Sequence, residues 1–326
     1  MPQPTGSAQY LNLLLTNVAV GAMQDPANFV AARVFADVPV EKQSSRYAVY
    51  NRGDFFRDEM QRRGPASESA GGGYRVSTDP YNCEVWSLHK DVDEQTRANA
   101  SDPFRPDSDA AKYLAAQSLL RQEVEFGLNF FTTGLWTGST TGTDLVGGTD
   151  FTVWNDASST PIEFVEEQMV NVESNSGFLP NVLVLSRRGW IRGLKNHPDI
   201  VDRVKHTNPN AITTDQVARL MGLDEIIVGA AVRNTAQEGL TANIDYVLGN
   251  HALLAYRSPA PSLDAPSAGY TFRWTGLDGV EGLGLPAAIR TIDMPLKRAV
   301  RHEIDVAFDM KVVAADTGVF LSGVVS

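Results

Sequence analysis

Hydrophobic positions along this chain follow two rhythms, and each predicts a different element. Ala110, Tyr113, Leu114, Gln117, Leu120, Val124, Leu128 and Phe131 recur at the spacing of one helix face. They predict a helix over residues 107–131, roughly 37 Å long at about 1.5 Å per residue. Asp107 or Ser108 is its expected cap, and Asp109 suits the positive end of the helix dipole. The second rhythm runs over 300–313, where Ile304, Val306, Phe308, Met310 and Val312 alternate with Asp305, Ala307, Asp309 and Lys311. Period two predicts a strand with one packed face, here set against the long helix.

Shorter elements fill the space between. Thr160-Pro161-Ile162-Glu163 has the form of a capping box with proline at the first helical position. It opens a helix with the apolar face Ile162, Val165, Met169 and Val172, and Gly177 is the expected stop. Residues 181–186 (NVLVLS) predict a buried strand leading into a helix near 187–194, then a short helix over 198–205. Thr213-Thr214-Asp215-Gln216 repeats the capping pattern before 217–221, and Gly222 closes that helix. Strands follow at 225–229, at 246–256 with a break at Gly249-Asn250-His251, at 270–274 and at 289–294. A last strand within 317–325 is expected to return beside 300–313 after a turn at 316–318. The Gly, Ser and Thr-rich stretch 134–160 predicts turns and one short strand at 151–154. Alternation of strand and helix over 180–256 marks a small α/β domain.

Two segments have no core of their own. Residues 1–40 predict an extended arm with one short helical piece, since Leu11, Leu14, Leu15 and Val18 share a helical face. The apolar run 10–23 resembles a signal peptide, but the first basic residue is Arg33, and the run is too short to cross a bilayer. Strands near 46–50 and 81–88 flank the polar stretch 53–78, which ends in Gly71-Gly72-Gly73. Together they predict a long two-stranded hairpin over 41–90 that projects from the body. A lone hairpin is marginal in water, so it is expected to rest on a partner subunit.

Charge narrows the function. The chain has 326 residues, 43% of them hydrophobic, enough for a substantial core. Its formal net charge is -11. Tight grip on nucleic acid needs a basic excess to displace counterions, so direct phosphate binding is not expected. The acidic balance fits a container wall from which DNA must slide and leave, and equally any ordinary soluble protein. The single cysteine, Cys83, can form neither an intrachain disulfide nor a Cys-based zinc site, and is expected as a packing residue in a protein folded in the cytoplasm.

Charge is also uneven along the chain. Within 46–63, Arg46, Arg52, Arg57, Arg62 and Arg63 outnumber Asp54, Asp58 and Glu59, whereas Asp91, Asp93, Glu94, Asp102, Asp107 and Asp109 follow. In a closed homo-oligomer, the five arginines of one hairpin can face Asp91, Asp93 and Glu94 of the next subunit. The plain alternative is a solvated arginine-rich loop. Charge reversal at Arg62 and Arg63 is expected to impair assembly while leaving the monomer folded.

Motifs for chemistry are missing. The sequence contains no P-loop, dinucleotide fingerprint, nucleophile elbow or zincin helix. Gly282-Leu283-Gly284 reads as turn material. His89, His197, His206, His251 and His302 have no metal-pair spacing, and Asp91-Val92-Asp93-Glu94 lacks the glycine and distant glutamate of a calcium loop. No catalytic residue, cofactor or metal is therefore expected.

The order of parts resembles a known family, the tailed-phage major capsid proteins of the Hong Kong 97-type fold. The runs NVLVLSRRGWIRGLKNHPDIVDRVK, ARLMGLDEIIVGAAVRNTA and NHALLAYRSPAPS are similar to phage coat sequences, including Met221-Gly222-Leu223-Asp224-Glu225 before a strand. The resemblance implies an α+β fold. Its parts are an N-terminal arm (1–40), an extended β-hairpin loop (41–90), and a peripheral domain with a long spine helix (91–179). An α/β axial domain (180–260) follows, and return strands of both domains (261–326) complete it. It also implies hexamers and pentamers in an icosahedral shell around double-stranded DNA, without sequence-specific binding or a membrane. Scaffolding, portal and decoration proteins are the implied partners, and the implied location is the virion capsid, assembled in the host cytoplasm. Some members cross-link through lysine and asparagine. This hairpin has only Lys42, at its base, so no such chemistry is expected. A bacterial encapsulin shares the fold and is the alternative. A soluble α/β enzyme using a carboxylate and His251 is a more distant one.

Overall fold

The computed structural model describes residues 24–100, 105–138, 144–204, 212–259, 266–276 and 288–326. The expected helical piece within 10–23, the turn at 282–284 and His206 lie outside the described residues.

From the arm inward, the chain forms α1 (Ala31–Val34), β1 (Asp37–Val40) and the hairpin strand β2 (Ser44–Tyr50). A short helix α2 (Arg52–Phe55) stands at the far end, and β3 (Val76–Asn82) returns antiparallel to β2, from Tyr50 opposite Val76 to Ser44 opposite Asn82. β4 (Glu84–Asp93), α3 (Glu94–Ala98) and the 25-residue helix α4 (Pro106–Phe130) follow. Next come β5 (Leu145–Val146), α5 (Pro161–Ser176), β6 (Val182–Ser186), a wide π-type turn over Gly189–Lys195, α6 (Pro198–Val204) and α7 (Thr214–Leu220). β7 (Glu225–Gly229), β8 (Val232–Asn234), β9 (Ile244–Tyr246), β10 (Ala252–Ala255), β11 (Gly269–Trp274), β12 (Ala288–Met294), β13 (Ala299–Val312) and β14 (Gly318–Ser322) complete the order.

Two five-stranded sheets organise these elements. In the first, β13 is central. β4 runs antiparallel along one side, β12 and then β11 along the other, and β11 carries β1 in parallel. The second has the order β5-β14-β10-β6-β7. Helix α4 lies across β13 and β4, as the two rhythms predict, and its Phe126 and Phe130 share a core with Val306, Phe308 and Met310. That core continues into the second sheet through Val182, Val184, Ile227 and Leu253, so both sheets close on one apolar centre.

The structure departs from the expected pattern at several places, each for a physical reason. Helix α4 is rotated from the expected face: it buries Ala110, Leu114, Ser118, Gln122, Glu123, Phe126 and Phe130, while Tyr113 and Leu128 are exposed. Of the inward polar groups, Gln122 pairs with Arg273 and Ser118, and Glu123 Oε2 accepts two backbone amides while its Oε1 has no hydrogen-bond partner among the described residues. Neither Asp107 nor Ser108 caps α4. Pro106 occupies its first turn, and Asp107 is held by Arg97 and His302. Thr160 makes no side-chain capping bond either, and Glu163 pairs with Arg203. Both bonds of the Thr213–Gln216 box are present. Gly177 stops α5 in the left-handed region at φ 74°.

The strand expected at 151–154 reduces to one bridge between Gly147 and Phe151, since Phe151 and Trp154 turn into the core. Residues 246–256 split into β9 and β10. The last strand does not return beside β13, whose two sides are taken by β4, β12 and β11. Val319, Phe320 and Leu321 bury on both faces, and β14 accordingly enters the second sheet between β5 and β10. The burial of both faces extends to β13 itself, where Asp305 and Ala307 are covered. Ser87 Oγ donates to Asp305 (2.6 Å), and Arg290 pairs with it.

Candidate assembly surface

The hairpin's return strand is Val76–Asn82, earlier than the expected 81–88. Cys83 N still donates to Gln43 O (2.8 Å), and past it the chain crosses to β13 as β4. The hairpin base is clamped by a small core of Val38, Val40, Tyr47, Tyr81, Cys83, Tyr270 and Phe272. The Tyr81 and Tyr47 rings lie 4.9 and 5.3 Å from that of Phe272. Burial pushes the Cys83 thiol up to about 11, which keeps it protonated at neutral pH within this packing.

The distal end has a different character. Tyr50, Phe55 and Tyr74 form a ring cluster with centroids 5.2 to 6.1 Å apart, yet Phe55 and Tyr74 remain 57% and 59% exposed. Asn51 caps α2, accepting from Gly53 N at 3.0 Å, and Asp54 accepts a guanidinium fork from Arg75. That fork holds the Asp54 carboxyl below the usual carboxylate range. Apolar rings left in water mark a surface for another protein. Sequence patterning missed this cluster, because Phe55, Phe56 and Tyr74 lie in a stretch dominated by polar residues. The pair Phe55-Phe56 was the available signal.

The five arginines do not form one patch. Arg46 donates to Thr78 Oγ1 (3.2 Å) on the hairpin itself. Arg52 Nη1 donates to Asp316 Oδ2 (2.6 Å) and lies over the Phe178 ring, while neighbouring Phe56 sits above Gly177 at the end of α5. The start of the connection between β2 and β3, at Arg52 and Phe56, is thus tied to its own body. Arg57 lies 3.6 Å from Glu59, and Arg63 Nε donates to Ser67 O (2.6 Å). Arg62 makes no ion pair among the described residues.

Asp91 and Asp93 are engaged within the chain. Asp91 accepts a fork from Arg301 (2.8 and 3.0 Å), which holds its carboxyl below the usual range. Asp93 caps α3, accepting from Thr96 N (3.1 Å). Glu94 N donates to Arg298 O (2.9 Å).

Nothing described assembles a reaction centre around His251. Its Nδ1 accepts from Gly323 N (3.1 Å), its ring lies against Phe320, and burial lowers its pKa. Among the described residues, no group of three or more His, Cys, Asp or Glu could hold a metal ion, and no helix is long and apolar enough to cross a membrane. A shallow cleft of about 300 Å³ between α4, β4 and β13 is lined by Glu84, Trp86, Glu125, Asn129, Asp309 and Lys311, among others.

No protein-family model matches the sequence. The chain is 25% identical over 314 residues to the major capsid protein of Pseudomonas phage JBD67, which covers 96% of each. Along nearly its whole length the chain is thus similar to a phage major capsid protein. Solved structures bear out the capsid fold. A phage-related protein from Bordetella bronchiseptica matches with TM-score 0.66 and 22% identity, over 96% of this chain and 97% of that one. The mature capsid of bacteriophage PhiM1 matches with TM-score 0.55 and 13% identity, over 88% and 84%. The same fold extends to the SrpI encapsulin of Synechococcus elongatus, with TM-score 0.52 and 13% identity over 100% and 98%. In the terms of this α+β fold, β2 and β3 carry the extended loop and α4 is the spine helix.

Proposed function

We propose that this chain is the shell-building subunit of a tailed phage. It assembles into hexamers and pentamers of an icosahedral shell enclosing double-stranded DNA, and it catalyses no reaction. The observation that carries this is similarity to the JBD67 major capsid protein along 96% of both chains. Two physical features support it. The extended loop leaves its aromatic cluster without cover in a single chain. The net charge of -11 repels DNA, so the cargo is held by enclosure and can still slide.

In this role residues 1–40 are the arm and 41–90 the extended loop. Residues 91–179 and 180–260 are the peripheral and axial domains, and 261–326 returns through both. The partners are further copies of the chain together with scaffolding, portal and decoration proteins. The protein resides in the virion capsid and assembles in the host cytoplasm.

An encapsulin shell has the same fold and differs in its contents. Particles from the native source, treated with nuclease and then opened, distinguish the two. Protected double-stranded DNA is expected. Particles that protect no nucleic acid and release a cargo protein would overturn the phage assignment.

A further inference from the structure

The periodicity of α4 that fits a core face is not spent on the core. Tyr113, Gln117, Leu120, Val124 and Leu128 recur at steps of three and four, on the side of the helix opposite the buried Ser118, Gln122 and Phe126. None of the five belongs to the apolar cores of the described residues. Tyr113 and Leu128 are 41% and 56% exposed, and Leu120 and Val124 are partly buried. No charged side chain lies on this stripe. Arg121, at its edge, is drawn over the Trp86 ring at 3.7 Å and pairs with Glu125. At about 1.5 Å per residue the stripe is roughly 22 Å long.

The chain's own N-terminal side leads to it. Val30 and Ala31 donate their amides to Glu123, and Gly127, one turn further along α4 at the edge of the stripe, lies against Val247. Val247 N donates to Ala231 O (3.0 Å). At the next residue, Val232, the Gln24 side chain is fixed twice: Nε2 donates to Val232 O (2.7 Å), and Oε1 accepts from Val232 N (2.9 Å). Gln24 is therefore held within a few residues of the end of the stripe at Leu128. Residues 1–24 carry no charged side chain, and Leu11, Leu14, Leu15 and Val18 share a helical face in the sequence. The six steps from Val18 to Gln24 reach at most about 21 Å, close to the length of the stripe. An uncharged apolar face suits an uncharged apolar stripe, and a charged partner would find nothing there to pair with.

We propose that residues 11–18 dock on the outward face of α4 in the same chain, with Leu11, Leu14, Leu15 and Val18 set against Leu120, Val124 and Leu128. Docking removes both apolar faces from water. The arm then grips α4 on two sides, by Glu123 within the core and by the stripe outside. The contact concerns a single chain, so it stands apart from the shell reading and is tested without it.

The test uses the full chain with a thiol placed on the stripe. Leu128→Cys is expected to react with a maleimide about ten-fold more slowly than in the same chain carrying Leu11→Asp, Leu14→Asp and Leu15→Asp, whose fold circular dichroism checks. Cys83 is fully buried, and the chain without an added cysteine measures its share of the reaction. In the second readout, Leu14→Cys is combined in one chain with Leu120→Cys, Val124→Cys or Leu128→Cys and oxidised. Lys112→Cys, exposed but off the stripe, is the control. A disulfide within one chain, seen as a faster band that reduction abolishes, is expected for at least one stripe position and not for the control. Equal maleimide rates in the two chains would overturn the proposal. So would slow labelling that persists in the aspartate variant, which assigns the face to another occupant. A product of twice the chain mass in place of the faster band would give the stripe to a second copy and overturn it equally.

Discussion

Glu123 has no exposed surface, yet it carries a carboxylate into the middle of the core. Its Oε2 accepts amide N–H groups from Val30 (2.8 Å) and Ala31 (2.9 Å), fastening the arm to the spine helix across more than ninety residues of sequence. Oε1 has no hydrogen-bond partner among the described residues. No ion pair reaches it among the described residues: Arg33 pairs with Glu225 and Arg121 with Glu125. Burial therefore dominates the two amides and pushes the Glu123 carboxyl up to about 7, from 4.5. A carboxyl raised in the folded state binds more protons there than in the unfolded chain. Its contribution is intact below about pH 4.5 and is lost as pH rises to about 7. At about 1.4 kcal/mol per unit, the loss is on the order of 3 kcal/mol. Glu123→Gln keeps an acceptor for the amides and removes the charge. Relative to wild type, its melting temperature is expected to rise between pH 5 and pH 8. A constant difference across that range would contradict this account. Asp91 and Asp107, held low by Arg301 and Arg97, act in the opposite direction and only at more acidic pH. None of this was legible in the sequence. Periodicity favours Val124 and Leu120 as inward residues and gives no reason to bury the carboxylate between Gln122 and Val124.

At the scale of elements, strong and long patterns were legible and boundaries between sheets were not. The spine helix and β13 follow directly from their rhythms, and the Thr213–Gln216 box forms as its residues dictate. The hairpin's second strand was misplaced because residues 81–88 read as one run of strand formers, although the chain crosses from one sheet to the other at Cys83. Val85 and Trp86 belong to β4 in the first sheet, whereas Tyr81 and Asn82 end β3 in the hairpin, with Cys83 between the two strands. What holds the hairpin to the body is therefore the aromatic clamp on Phe272. Phe272→Ala is expected to cost about 3–5 kcal/mol and to release β2 and β3 ahead of the rest. Hydrogen exchange checks this: amide protection across β2 and β3 should fall further than that of β6 and β10. Equal loss in both sheets would place the hairpin within the main cooperative unit. A second test concerns β14. A Cβ on Gly318 would lie 2.5 Å from Trp136 Cε3, a ring with no room to move. Gly318→Ala is expected to lower the melting temperature by several degrees, and an unchanged melt would show that Trp136 yields.

For the whole molecule, the two sheets close on a shared apolar core, while the loop's distal rings remain in water. The sequence showed the second half of that statement through its polar, arginine-rich stretch without a core. It did not show that β14 leaves its neighbour β13 for the other sheet, because strand order depends on which edges are already filled. Nor did it show that the near end of the loop, at Arg52 and Phe56, is tied to its own chain. The outward part from Arg57 to Tyr74 is what remains to be covered, and on the proposed shell reading a second copy covers it. Electron microscopy of the purified, concentrated protein tests this most directly. Closed shells of uniform size, with each extended loop lying over an adjacent subunit, are the expected result. Single chains at every concentration, with the ring cluster of Tyr50, Phe55 and Tyr74 buried against their own body, would contradict it.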